Sequence, residues 1–166
     1  MTTHNMRGAI IHRAELAFFQ AMLAGYAGDG KGVVREVTPD GHKTLTWENE
    51  EFRIVDRYCV AEDCRSSAGT TTIFFNGMPI WWMAYAGQYT KSAIPFLKKA
   101  LAHAYTKGEF HGGRGPIRFQ DGSMTYRNHQ GNSGFSFGSF DGFEQIIAED
   151  AVEALGYHKY FGMLLI

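Results

Sequence analysis

Two stretches of this chain match each other in character. Residues 45–85 lie over residues 117–157 at a shift of 72, slipping to 73 in the middle. Leu45, Trp47, Phe52, Ile54 and Asp56 meet Ile117, Phe119, Met124, Tyr126 and Asn128. Gly69 and Ile73 meet Gly142 and Ile146, and Met83 and Tyr85 meet Leu155 and Tyr157. An apolar helical stretch ending in tyrosine precedes each half, Leu16 to Tyr26 and Phe96 to Tyr105. A doubled unit of this kind can bury its core between two sheet halves and leave a cleft near a twofold axis. The expected fold class is therefore α+β: two pseudo-repeats of a helix plus antiparallel strands, α-β-β-β-β twice, with the helices packed on antiparallel sheet. Residues 1–12 read as a mobile arm or an edge strand. Residues 13–166 read as one domain built from two repeats, about 13–89 and about 90–166.

Local patterns place the elements. Leu16, Phe19, Leu23 and Tyr26 recur at helical spacing, with Phe18 and Met22 beside them. The polar, glycine-rich run from Gly28 to Gly32 reads as a flexible connection, since no Lys-Ser/Thr pair follows it as in a phosphate loop. Alternating segments over Lys43–Trp47 and Phe52–Tyr58 predict strands. Asn76-Gly77 between Thr70–Phe75 and Pro79–Tyr85 predicts a tight hairpin, because both central residues tolerate positive φ. A second helix is expected from Ser92 to Tyr105, with Pro95 in its first turn and Gly108 closing it. Strands follow from Ile117, with a tight turn at Asp121-Gly122 and a glycine–serine loop over Gly131–Gly138. A last hairpin is expected around Glu149-Asp150.

Composition excludes several function classes. The formal charge is −1, so no global field draws the chain to nucleic acid or anionic membrane, and no direct nucleic-acid binding is expected. Cys59 and Cys64 have no second pair to complete a zinc site, and no two histidines share helical i, i+4 spacing; neither a metal nor a cofactor is expected. The amino terminus lacks the pattern of a signal peptide. The longest apolar run, Met78 to Gly87, is far short of the roughly 20 residues that span a bilayer. These features predict a cytoplasmic protein without a membrane segment.

Four motifs fall in order along the chain: Asp56-Arg57-Tyr58, Pro79 to Gly87, Arg114-Gly115-Pro116 and Phe140 to Ile146. Together they resemble a family of small bacterial proteins described only as a domain of unknown function, over roughly residues 14–166. In some members the domain follows a helix-turn-helix module, and that resemblance implies a sensor or effector-binding role by analogy. The chain departs from the family pattern at Ser67–Thr71, which lacks an acidic residue, and at Tyr157–Gly162.

Several side chains are candidates for chemistry. Trp81 and Trp82 are adjacent on a strand and point to opposite faces, one into the core and one outward or into a cleft. Asp56 and Arg57 likewise face opposite ways. Asp56 shares its face with Phe52 and Ile54 and needs a buried partner, for which Arg114 is the attractive choice. Alternatively Arg114 holds an anionic ligand. The expected ligand-binding set is Arg57, Trp81, Tyr85, Arg114, Tyr126 and Tyr157, with Asp56, Glu144 and His129 as acid–base candidates. Three readings stay open: a small-molecule-binding or sensor-like domain with an aromatic-lined cleft; a cofactor-independent acid–base enzyme such as an isomerase, cyclase or hydrolase; and a homodimeric interaction domain that uses an exposed tryptophan face.

Overall fold

The computed structural model describes residues 3–28, 30–62 and 65–166, with side chains from residue 5 onward. Its elements run α1 (Thr3–Ala24), β1 (Val33–Val37), β2 (Lys43–Glu48), β3 (Phe52–Val60), β4 (Ser66–Phe75), β5 (Met78–Tyr89), α2 (Ile94–Lys107), β6 (Arg118–Asp121), β7 (Met124–Ser136), β8 (Ser139–Ala148) and β9 (Gly156–Leu164). All nine strands form one antiparallel sheet in the order β1-β2-β3-β4-β5-β9-β8-β7-β6. Two meanders are thus joined where β5 pairs with β9 from Trp81↔Leu164 to Tyr89↔Gly156.

This sheet corrects the expectation of two helix-plus-strand repeats. The strands are continuous across β5 and β9, with five in the first meander and four in the second. The supposed equivalents also part company. Tyr85 pairs with Tyr160, so the two share a face, and Tyr157 lies three residues from Tyr160. Side chains alternate along a strand, so Tyr157 points to the opposite face from Tyr85, and no rotation about the sheet normal relates them. Leu45 is buried, whereas Ile117 is 51% exposed and precedes β6. The likeness between the halves arises because alternating strands resemble one another in apolar pattern whatever their position in a sheet.

Both helices lie on one face, in contact with each other. Helix α1 begins at Thr3, so the described part of the segment expected as an arm or edge strand, residues 3–12, is the first half of a helix. Its inner stripe is Ala14, Ala17, Phe18, Ala21 and Met22, while Leu16, expected inside, is half-exposed. The alanines let the helix sit close to the sheet, and Phe18 fills the space between. Helix α2 is preceded by a single 3-10 turn at Lys91–Ala93, carries Pro95 in its first turn, and ends at Gly108 in a left-handed conformation (φ 65°). Its buried stripe is Phe96, Leu97, Ala100, Leu101, Ala104 and Tyr105.

The Asn76-Gly77 hairpin forms with positive φ at both residues (48° and 81°). The Gly131–Gly138 segment is strand for most of its length: β7 runs to Ser136 with a register shift between Gln130 and Phe135. This shift delivers Phe137 to the core. Trp81, fully buried, stacks on Phe137 and Phe140 (5.1 and 5.5 Å between centroids) and donates its indole N–H to the Phe137 carbonyl at 2.9 Å. It ties β5 to the β7–β8 turn beneath α1.

Trp81→Ala should therefore lower the unfolding free energy by about 3–5 kcal/mol. Met163→Ala, half-exposed on the opposite face, should change it by less than about 0.5 kcal/mol. Urea unfolding of the two variants measures both.

Candidate functional site

The interior between the helices and the sheet is not wholly apolar. Asp56, Thr71, Arg114, Asn128, Glu144 and His158 are all buried. Burying a charge is expensive unless it is paired and hydrogen-bonded, and the centre of this group is such a pair. Arg114 donates through Nη2 to Glu144 Oε1 at 2.5 Å, with Glu144 wholly buried. Tyr89 donates to the same oxygen at 3.0 Å, and Tyr126 donates to Oε2. Burial alone would raise the Glu144 carboxyl, but the Arg114 guanidinium beside it holds it well below its ordinary 4.5. Glu144 is a fixed anion.

Arg114 sits in the loop after α2, and the sheet holds that loop by its backbone. Gly112 and Gly113 take left-handed φ of 67° and 69°, which glycine adopts without strain. Tyr105 donates to the Gly113 carbonyl at 2.9 Å, and the Gly115 N–H donates to the Tyr126 hydroxyl at 2.9 Å. Asn128 Nδ2 donates to the carbonyls of His111 and Gly115 at 3.0 and 2.9 Å, while its Oδ1 accepts from Tyr160. Four inward-pointing side chains from α2, β7 and β9 thus fix where Arg114 enters the interior.

A cavity of about 220 Å³ lies against this network. Met22 of α1, Tyr26 in the turn after it, Ile94 and Tyr105 of α2, and Met83 of β5 supply its apolar and aromatic walls. Asp56, Ser67, Thr71, Tyr85, Arg114 and His158 supply its polar groups. Exposed Lys43, Val60 and Arg65 mark its outer end. Asp56 does not pair with Arg114, contrary to the expected salt bridge. Its Oδ1 accepts from Thr71 at 3.0 Å and from Tyr85 at 2.8 Å. Burial raises its carboxyl above the ordinary 3.8, against the opposing pull of those hydroxyls and of Arg114. With both hydroxyls donating to Oδ1, a proton on this group belongs on Oδ2. The two buried carboxyls are thus driven in opposite directions by their surroundings.

Ser67, His158 and Glu144 line up in a way that suggests a nucleophile, a base and an orienting acid. Ser67 Oγ is 3.0 Å from His158 Nε2. Nδ1 decides the role of the ring. Arg114 Nη2 lies 3.3 Å from it, and Glu144 Oε1 lies 3.5 Å away, too far for an effective hydrogen bond. A guanidinium can only donate, so Nδ1 accepts and the ring proton sits on Nε2, pointing at Ser67. Burial lowers the His158 pKa below its ordinary 6.5, and Arg114 adds to the lowering, so the ring is neutral at pH 7. In this tautomer His158 donates to Ser67 and leaves the serine hydroxyl free to donate in turn.

Among the expected site residues, Asp56, Tyr85 and Arg114 line this cavity. Glu144 and Tyr126 stand behind Arg114 as its support. Trp81 is in the core and does not line the cavity. Arg57, Tyr157 and His129 point away from the helices. Arg57 pairs with Asp40 at 2.6 Å, Tyr157 lies against Phe143, and His129 lies 3.3 Å from Gln145. Arg57 and His129 border an open trough of about 1020 Å³ across the helix-free face. That trough is larger, but the ion pair at its rim, Arg57 with Asp40, is exposed, whereas the pair behind the inner cavity is buried. Ser67, His158, Thr71 and Tyr89 were missed by sequence reasoning. His158 lies in Tyr157-His-Lys-Tyr160-Phe161, where aromatic residues occupy both phases of the alternation and hide which face is inward. Cys64 lies outside the described residues, and Cys59 is a free, partly buried thiol.

A family model described as a domain of unknown function, DUF5680, matches residues 63–163, more than half of the chain. The chain belongs to the DUF5680 family. Searches of curated proteins and of solved structures gave no match. The DUF5680 match takes in Ser67, Tyr85, Tyr89, Arg114, Tyr126, Glu144 and His158. It leaves out the preceding part of the chain, α1 through β3, in which the turn after α1 brings Tyr26 and β3 brings Asp56 and Tyr58 to the same cavity. No helix among the described residues of this DUF5680 protein is long and apolar enough to cross a membrane. Among the same residues no three His, Cys, Asp or Glu side chains gather as a metal site.

The opposed carboxyls predict opposite mutational effects. Glu144→Gln leaves Arg114 buried beside a neutral group and should cost about 3–5 kcal/mol at pH 7. Asp56 behaves differently. Between 3.8 and its raised value the folded chain keeps a proton that the unfolded chain has lost, so stability from this group falls as pH rises through that window. Asp56→Asn keeps the acceptor for Thr71 and Tyr85. It should be neutral or stabilising at pH 7 and close to the native chain near pH 4. For Glu144 the sign is reversed: its contribution is present above 4.5 and is lost as pH falls below it. Urea titrations at a series of pH values distinguish the two.

Proposed function

We propose that this protein is a small-molecule-binding domain of sensor-like type, and that its ligand occupies the cavity between the two helices and the inner face of the sheet. One observation carries the reading. The Arg114 guanidinium, anchored from behind by Glu144, lines an aromatic-walled cavity together with Asp56 and His158. Mostly apolar walls with a few converging polar groups are the usual make-up of a ligand site. The volume, about 220 Å³, lies below the roughly 300–1,000 Å³ of sites for drug-sized compounds and fits a compact metabolite. The aromatic lining is strongly non-ionising: burial pushes the Tyr26 hydroxyl up to about 12, and Tyr85 and Tyr89 are raised well above their ordinary value for the same reason. These phenols act as hydrogen-bond groups and apolar surface at neutral pH.

A second reading, a cofactor-independent acid–base enzyme, is favoured by Asp56 alone. A carboxyl whose burial in a cavity wall favours the proton-bearing form is the kind of group that serves as a proton donor. Asp56→Asn separates the two readings: it would preserve ligand affinity within a few-fold and abolish turnover of any compound the protein converts.

Differential scanning fluorimetry with metabolites of fewer than about 15 heavy atoms tests the binding reading. A compound at one hundred times its Kd should stabilise the folded chain by about 2.7 kcal/mol, a rise in Tm of several degrees. Ser67→Trp, which places a large ring at the cavity, should remove that rise. A library that leaves Tm unmoved in the native chain would count against the reading.

A further inference from the structure

We infer that the ligand of the inner cavity carries a carboxylate, seated against Arg114, Ser67 and His158; this rests on the reading of the cavity as a small-molecule site. The polar groups around that end of the cavity are donors. Arg114 commits Nη2 to Glu144 Oε1 and His158 Nδ1, and no other N–H of its fork has an acceptor among the described residues. Its buried Nε–H in particular has none, although the side chain is only 7% exposed. An unsatisfied N–H in such a place costs free energy that an added acceptor would recover.

His158 extends the donor set. Because Arg114 supplies the hydrogen bond at Nδ1, Nε2 carries the proton and faces Ser67 Oγ at 3.0 Å. The serine oxygen accepts that bond, and its O–H is left to donate. Glu144, the one fixed anion nearby, is enclosed by Arg114, Tyr89 and Tyr126 and is fully buried, so it presents no oxygen to the cavity. Asp56 is the remaining acid in the wall. Its Oδ1 is occupied by Thr71 and Tyr85, and burial favours its proton-bearing form, which lessens its repulsion of an anion. Lys43 at the outer end adds a positive charge along the approach.

The shape of the remaining wall sets the other half of the ligand. Met22, Met83, Ile94 and Tyr105 leave room for a compact apolar or aromatic body rather than a second charge. A phosphate fits less well: it carries up to two negative charges and needs more donors than one guanidinium fork and one hydroxyl supply. The class that fits is a small monocarboxylate with a ring or branched chain.

Matched acids and amides test this on the native chain. Benzoate with benzamide, phenylacetate with phenylacetamide, and isovalerate with isovaleramide share shape and differ in charge and in one acceptor. Isothermal titration and thermal shift should show the acids binding at least about tenfold more tightly than their amides. Ser67→Ala, at a partly exposed position, should weaken the acids by about fivefold to tenfold and the amides by less, because a hydrogen bond to a charged acceptor is the stronger. Acids and amides binding equally well would overturn the carboxylate inference and leave the binding site standing. Tighter binding by inorganic phosphate than by any acid would overturn it as well. If neither acids nor amides bind and no neutral compound of the same size does, the binding reading falls too.

Discussion

An arginine buried beside a glutamate organises this molecule. Neither charge could stay inside alone, and together they remain costly unless every lone pair and N–H near them is answered. The fold answers most of them. Tyr89 and Tyr126 close over Glu144, and Tyr126 also receives the Gly115 N–H, so the strand that stabilises the anion also grips the loop that carries the cation. Asn128 and Tyr105 grip the same loop at three carbonyls. Arg114 is therefore placed by backbone bonds rather than by the flexibility of its own side chain, the condition for a preorganised recognition group.

The joint between β5 and β9 matters next. It is the one place where the two meanders meet, and it lays Gly87 opposite His158. An ideal Cβ on Gly87 would come within 2.0 Å of the Tyr157 carbonyl oxygen and 2.7 Å of the His158 ring. The absence of a side chain there lets the imidazole lie flat against β5 and reach Ser67 on β4. Local backbone economy at one residue thus brings together groups that are 91 positions apart in the chain. The alanine stripe of α1 works in the same direction: it lets the helix sit close to the sheet, so that Met22 forms part of the cavity wall.

How much of this could be read beforehand depends on the range of the interaction. The Asn76-Gly77 hairpin, the end of α2 at Gly108, and the opposite facing of Trp81 and Trp82 follow from φ preferences and strand alternation, which act over a few residues. Asp56, Tyr85 and Arg114 were legible as candidates because polar residues amid apolar strands or in a glycine-bound turn stand out locally. The partner of Arg114 was not. Asp56 and Glu144 are both acids on inward faces, and only the strand order puts Glu144 rather than Asp56 against the guanidinium. Tyr157 misled because its match to Tyr85 was counted along the chain, whereas the face of a residue is set by its register against its neighbours.

The amino-acid order alone determined that this chain would form tyrosine-rich antiparallel strands and two helices, with a few acids and one arginine that had to be buried in company. Those consequences come from periodicity, turn chemistry and the cost of burying charge, which are properties of short segments. The tertiary structure decided that the strands form one sheet rather than two units, which carboxyl meets the guanidinium, and which groups face the two ring nitrogens of His158. Each of these depends on side chains brought within about 3 Å from strands far apart in sequence, where hydrogen-bond geometry, not composition, selects the partner.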